Sequence, residues 1–130
     1  MDMLNHHQIH MTMNNFRKLT IWKDSIDLAS TIYELTKEFP KSELFGLTSQ
    51  MRRSVVSISS NIAEGAGRNS QKEFIHFLNI AKGSCYELET QLLISTNIDY
   101  ISEDIFKLVS SELIKIEKMI FGLIKSLDVK

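Results

Sequence analysis

The sequence has few of the residues that small proteins use for covalent cross-links, and no segment suited to crossing a membrane. It contains one cysteine, Cys85, and one proline, Pro40, among 130 residues. A lone cysteine cannot form an intrachain disulfide or a cysteine-built zinc site, and it is typical of a reducing compartment. The N-terminus shows no basic region followed by an apolar core, and no apolar run approaches the roughly 20 residues of a membrane span. We therefore expect a soluble, cytoplasmic protein.

Charge of neither sign dominates the chain. The formal net charge is −1, so the strongly basic balance of a dedicated nucleic-acid binder is absent. The charges are nevertheless uneven, because residues 41–72 carry a net charge of +3 and residues 73–101 a net charge of −3. Such a split favours the steering of one subunit onto another, and a local basic patch for RNA is the alternative. The candidate nucleic-acid contacts are Arg52, Arg53, Arg68 and Lys72.

Two regions differ in composition. Residues 1–15 carry one charged residue and no aromatic residue or periodic pattern, so we expect a disordered leader. Its three histidines, His6, His7 and His10, have no defined geometry for a metal. Residues 16–130 are expected to form a single domain.

Within that domain, apolar residues recur at helical spacing in four stretches. We predict helices over about 18–38, over about 43–65, from Ser70 onward and over about 102–127. Because the connections between them are short, each helix must run antiparallel to its neighbour. The sequence therefore predicts an all-α, up-down-up-down, antiparallel four-helix bundle.

Polar caps and a proline mark the expected helix boundaries. Pro40 stops the first helix, and Ser42 is the predicted N-cap of the second. Ser70 with Glu73 three residues later reads as a capping box, and Ser102 is the predicted cap of the fourth helix.

A polar and glycine-containing motif marks the predicted end of the second helix. Two glycines are expected to end the helix, while an amide and a carboxylate satisfy backbone groups there. These four residues are Asn61, Glu64, Gly65 and Gly67.

Each helix has a stripe of residues expected to point inward. The stripe of the third helix follows an alternating four-three spacing, which indicates a shallow packing angle and puts Cys85 in the core. The predicted core consists of Ile21, Leu28, Ile32, Leu35 and Phe39; Leu44, Leu47, Met51, Val55, Ile58 and Ile62; Phe74, Leu78, Ala81, Cys85, Leu88, Leu92 and Ser95; and Ile105, Val109, Ile116, Ile120, Leu123 and Leu127.

The helices carry more apolar residues than these inward stripes use. The first helix has a second stripe containing Trp22, Ile26, Ala29 and Tyr33. Aligned apolar stripes outside the core of several helices predict a buried contact with other chains. The candidate oligomer-interface residues are Phe45, Val56, Ala63, Ile80, Gly83 and Ile94.

No set of residues matches a catalytic or metal-binding motif. Glu73-x-x-His76 matches one element of a di-iron bundle, but the site needs two copies and His76 is the only histidine after residue 15. Cys85 has no histidine in its own stripe. Gly65-x-Gly67 lacks the further glycine and the lysine of a nucleotide-binding loop. We expect no enzyme activity, no metal and no cofactor.

Several short blocks of the sequence nevertheless resemble one known protein family. Gln50-Met-Arg-Arg-Ser, Asn61-Ile-Ala-Glu-Gly, Ala81-Lys-Gly-Ser and Glu87-Leu-Glu-Thr resemble the bacterial four helix bundle protein family, also named the 23S rRNA-intervening sequence protein family. The resemblance covers about 16–127 and implies a homopentamer without catalytic residues. Some members of that family are encoded inside intervening sequences of large-subunit rRNA genes.

The chain is also similar to the accessory protein of diversity-generating retroelements, a basic pentameric bundle that binds reverse transcriptase and nucleic acid. The near-neutral charge of this sequence departs from that relative. Two hypotheses follow: a homo-oligomeric module without catalysis, or an accessory protein that binds RNA through a basic patch on the second helix.

Overall fold

Four α-helices make up most of the regular structure in the part of the chain that the structure describes. The computed structural model describes residues 15–128, so the expected leader, with its histidines, lies outside the described residues apart from Asn15. Every regular element within 15–128 is helical, which confirms the predicted all-α class. The helices are α1 (Thr20–Thr36), α2 (Leu47–Ala66), α3 (Gln71–Asn97) and α4 (Glu103–Leu127), and short 3-10 turns occupy Phe16–Lys18 and Lys41–Glu43. None of these helices is both long and apolar enough to cross a membrane.

The helices surround one core. α1 packs against α2 and α4, and α3 also packs against α2 and α4. Near the start of α2, the Ser95 hydroxyl donates to the Met51 sulfur at 3.5 Å, and further along the hydroxyls of Ser57 and Ser84 lie 2.8 Å apart. The start of α2 is therefore in contact with a residue late in α3, and the middle of α2 with a residue earlier in α3.

The predicted caps of α3 and α4 are confirmed. Ser70 Oγ accepts a hydrogen bond from the backbone N–H of Glu73 at 3.1 Å, and Ser102 Oγ accepts one from Ile105 at 3.1 Å. Each hydroxyl satisfies a backbone donor that has no partner within its helix. Both helices begin at the residue after the cap.

The predicted start of α2 is wrong. Ser42 lies in the 3-10 turn Lys41–Glu43, and the helix begins only at Leu47. The carboxylate of Glu43 replaces the expected cap, because Oε1 accepts the Leu47 N–H at 3.1 Å and Oε2 accepts the Tyr100 hydroxyl at 2.8 Å. These two bonds lower the pKa of Glu43, the backbone bond most. Leu44 consequently lies outside the helix and is exposed instead of joining the core.

The predicted end of α2 also needs correction at Gly65. This glycine lies inside the helix and is buried, while Gly67 follows the last helical residue with φ −84°. A Cβ at Gly65 would lie 2.8 Å from Phe77 Cβ and 2.9 Å from Phe74 Cδ1. Gly65 therefore allows α2 and α3 to approach closely and does not end the helix.

Most of the predicted core is buried. All seven positions of the α3 stripe are buried, including Cys85 and Ser95. In α4 the prediction is wrong at Ile105, which is exposed, because the neighbouring Phe106 packs against the core from that turn. Leu113 is a fully buried residue of α4 that the predicted stripe omitted.

Candidate interaction surfaces

A groove between the end of α1 and the outer side of α2 gathers exposed apolar side chains and two arginines. Phe45 is 93% exposed at its edge, so its ring has almost no packing within its own chain, and Val56 is 41% exposed. An exposed apolar patch rimmed by polar groups is typical of an interaction site. We call this surface the α1–α2 groove; it is lined by Tyr33, Leu44, Phe45, Thr48, Ser49, Arg52, Arg53, Val56 and Ser57.

Arg52, one of the candidate nucleic-acid contacts, is used to join α1 to α2. Its Nε donates to Thr36 Oγ1 at 2.9 Å and its Nη2 donates to the carbonyl of Tyr33 at 3.3 Å. The guanidinium also lies 4.6 Å from the centre of the Tyr33 ring. A cation beside the last carbonyls of α1 stabilises the negative end of that helix. Arg52 therefore stabilises the tertiary structure.

Arg68 is also engaged within the chain. Its Nη2 lies 2.6 Å from Glu64 Oε2, and its guanidinium lies 4.7 Å from the centre of the Phe77 ring. Glu64 was expected to satisfy backbone groups at the helix end, but it pairs with Arg68 instead. Both partners are substantially exposed, so the pair adds little to stability.

The remaining two cations, Arg53 and Lys72, are exposed. Neither forms an ion pair with another described residue. Arg53 lines the α1–α2 groove, whereas Arg68 follows the far end of α2, roughly 20 Å away along the helix axis. The four predicted contacts therefore do not form one patch of free positive charge.

The polar side of α2 contacts α3. Asn61 Nδ2 donates to the carbonyl of Ser57 at 2.8 Å and to its Oγ at 3.0 Å. Ser57 Oγ in turn lies 2.8 Å from Ser84 Oγ. Asn61 therefore supports a hydrogen-bonded contact between α2 and α3, and not the helix end as expected.

The other predicted interface residues lie mainly on the outer side of α3. Ile80 is 40% exposed and Ile94 is 44% exposed, with the exposed Glu87 seven residues from each. A Cβ at Gly83 would meet no heavy atom within 4 Å. We call Ile80, Gly83, Glu87 and Ile94 the α3 row. The sixth predicted residue, Ala63, is half-buried on α2 and does not line the groove.

The structure joins features of α1 and α2 that the sequence showed only separately. Tyr33 belongs to the second apolar stripe of α1 and lines the same groove as Phe45 and Val56. Trp22 and Ala29 of that stripe are half-buried against the core, while Ile26 is exposed. The second apolar stripe of α1 predicted an exposed apolar surface, but it did not predict that α2 would lie beside Tyr33.

A pair of glutamates between α3 and α4 is a further feature that the sequence did not indicate. Burial raises the pKa of Glu117 to about 7, and the neighbouring carboxyl group of Glu89 makes a smaller contribution in the same direction. Burial, together with the negative charges of Glu117 and Glu89, raises the pKa of Cys85 to about 12. The Cys85 thiol is therefore protonated at neutral pH, a state unsuited to nucleophilic attack. Within 15–128, no three His, Cys, Asp or Glu side chains are grouped to hold a metal.

These observations define a class: within residues 15–128 the protein is all-α, with four α-helices whose outer surface carries apolar residues. The sequence model of the 23S rRNA-intervening sequence protein family matches residues 17–122, so the chain belongs to that family. The resemblance seen in the sequence is thereby confirmed.

A solved structure supports the same assignment. The chain is similar to the crystal structure of a protein with unknown function from the S23 ribosomal protein family of Bacteroides thetaiotaomicron VPI-5482. The two share 28% sequence identity and a TM-score of 0.76, over 81% of this chain and 95% of the other. No curated protein matches the chain. Neither the family model nor the solved structure assigns an activity to the family.

Proposed function

We propose that this protein is a non-catalytic subunit of a homo-oligomer, formed by five copies as the family resemblance implies. The observation that carries the proposal is the α1–α2 groove, where Phe45 is 93% exposed beside Tyr33 and Val56. Burying one such ring against a partner contributes about 1.5–3 kcal/mol. The same groove holds Arg52 and Arg53. Aromatic residues and arginine are the types enriched at the centres of protein interfaces.

An up-down-up-down topology is part of this proposal. Its support comes from the short connections, since residues 67–70 join α2 to α3 and residues 98–102 join α3 to α4. Connections of that length favour antiparallel neighbours. The contacts of α1 and α3 with both α2 and α4 fit a closed bundle.

The absence of catalysis is proposed from the state of the reactive side chains. Cys85 is fully buried with a pKa of about 12, and His76 is exposed on α3 and contacts the ring of Phe77. Neither residue is in the arrangement of a nucleophile with its base.

Light scattering coupled to size-exclusion chromatography tests the assembly. We expect a mass that is a multiple of the protomer mass at low micromolar concentration, and native mass spectrometry should count five copies. A stable monomer would refute the proposal as a whole. Another multiple would overturn only the number five.

RNA binding is the second candidate. Arg53 and Lys72 favour it, because both are exposed cations without an ion pair among the described residues. We expect that gel-shift affinity for rRNA fragments falls steeply with salt and falls again in Arg53→Ala plus Lys72→Ala. Arg52→Ala is a poor test of this candidate, since it also removes the bonds to Thr36 and Tyr33. No binding at low salt would exclude RNA as the ligand.

A further inference from the structure

Two exposed apolar surfaces of the protein carry opposite charges. In the α1–α2 groove, Arg53 lies between Phe45 and Val56 in sequence and lines the groove with them. In the α3 row, Glu87 lies midway between Ile80 and Ile94, seven residues from each. Each surface therefore presents apolar side chains on both sides of one exposed charge.

Both charges are available to a partner. Neither Arg53 nor Glu87 forms an ion pair with another described residue, and both are exposed. The charge split of the sequence has the same sense, with +3 over residues 41–72 and −3 over residues 73–101. Complementary potentials favour the encounter of the two surfaces and penalise the pairing of like charges.

From this complementarity we infer that the α1–α2 groove of one copy binds the α3 row of the next copy, with Arg53 opposite Glu87. This inference rests on the proposed homo-oligomer and specifies which surfaces meet. A groove facing a groove would bring arginines together, and a row facing a row would bring glutamates together. The contact is therefore heterologous, the kind that closes into a ring or extends into a filament.

Gly83 gives the contact its closest point. The open space around Gly83, one turn from both Ile80 and Glu87, is a notch in the α3 row. A large apolar side chain of a partner can enter such a notch, and Phe45 is the most exposed large apolar residue of the described chain. The ring of Phe45 therefore packs over Gly83 of the neighbouring copy.

Charge reversal tests the pairing. We expect Arg53→Glu alone and Glu87→Arg alone each to raise the dissociation constant of the assembly at least tenfold, because like charges then face each other. The double variant Arg53→Glu plus Glu87→Arg should restore assembly, because every contact again pairs opposite charges. An equimolar mixture of the two single variants should associate more tightly than either variant alone, because each contact between unlike copies pairs opposite charges. A ring of five keeps at least one contact between like copies, so the mixture should recover assembly only in part.

The controls separate this inference from the proposal beneath it. Lys118→Glu and Glu112→Arg make the same charge changes at exposed positions of α4 and should leave assembly unchanged, and circular dichroism should show all variants folded. If the wild type is monomeric, the proposed oligomer fails. If the wild type assembles but the single reversals have no effect, or the double variant does not recover, the oligomer stands and the pairing of these two surfaces is wrong. In that case the groove is open to a different protein.

Discussion

Gly65→Ala should destabilise the protein although alanine is the better helix former. A Cβ at this position would lie 2.8 Å from Phe77 Cβ, 2.9 Å from Phe74 Cδ1 and 3.2 Å from the Phe74 carbonyl oxygen. The closest of these is about 0.6 Å short of the 3.4 Å at which ordinary contact begins. Two of the three obstacles, a Cβ and a backbone oxygen, cannot rotate away, so α2 and α3 must separate.

The expected magnitude follows from two opposing effects. Overpacking a well-filled core costs about 1–3 kcal/mol. Replacing a helical glycine by alanine contributes up to about 1 kcal/mol. We expect the free energy of unfolding to fall by about 1–2 kcal/mol, which corresponds to a Tm lower by about 3–8 °C.

Two other helical glycines provide the controls. A Cβ at Gly83 or at Gly122 would meet no heavy atom within 4 Å. Gly122→Ala should therefore raise the free energy of unfolding by about 0.5–1 kcal/mol through helix propensity alone. Gly83→Ala should do the same in the protomer while weakening the association proposed above.

Denaturant unfolding followed by far-UV circular dichroism measures these differences, at one fixed protein concentration because association shifts apparent stability. A Gly65→Ala variant as stable as Gly122→Ala would refute the close packing of α2 and α3 at this point.

The other predictions concern the acid pair, the groove and a helix cap. Glu117 has a folded-state pKa of about 7 against an ordinary value of 4.5, so the folded protein binds an extra proton between these pH values and loses stability as the pH rises through them. Glu117→Gln should remove that loss and stabilise the protein by about 1 kcal/mol near pH 8, a figure discounted for partial exposure, with little gain near pH 4; equal gains at both pH values would contradict it. Phe45→Ala should weaken assembly about tenfold or more without lowering protomer stability, whereas Leu108→Ala, at an apolar residue of α4 that is 68% exposed against 93% for Phe45, should leave assembly unchanged, as sedimentation would show. Ser70→Ala should lower the free energy of unfolding by about 1 kcal/mol, while Ser42→Ala, which removes no cap, should change it by less than about 0.5 kcal/mol; equal effects in thermal melts would argue against the cap geometry.

Local features were predictable because their causes lie within one or two helical turns. The caps at Ser70 and Ser102 depend on backbone groups three residues away. The buried stripe of α3, with Cys85 in it, follows from helical periodicity alone. The apolar residues left over on α2 and α3 were likewise visible as stripes before their surroundings were known.

Other features depend on residues that only the folded chain brings together. The start of α2 is set by Glu43, whose carboxylate also binds Tyr100 across 57 positions. Gly65 was predicted to end α2, but its role is to let α2 pack closely against Phe74 and Phe77. Those two residues lie on the next helix, so the local sequence around Gly65 does not show this role.

By itself, the sequence determined the helical class, two caps, the core of α3 and the family resemblance, because propensity and periodicity act over short distances. Only the tertiary structure decided which cations remain free, since the partners of Arg52 come from another helix. It also decided that Tyr33, Phe45 and Val56 line one groove. Such neighbours are set by how whole helices pack against one another, and no local pattern encodes that arrangement.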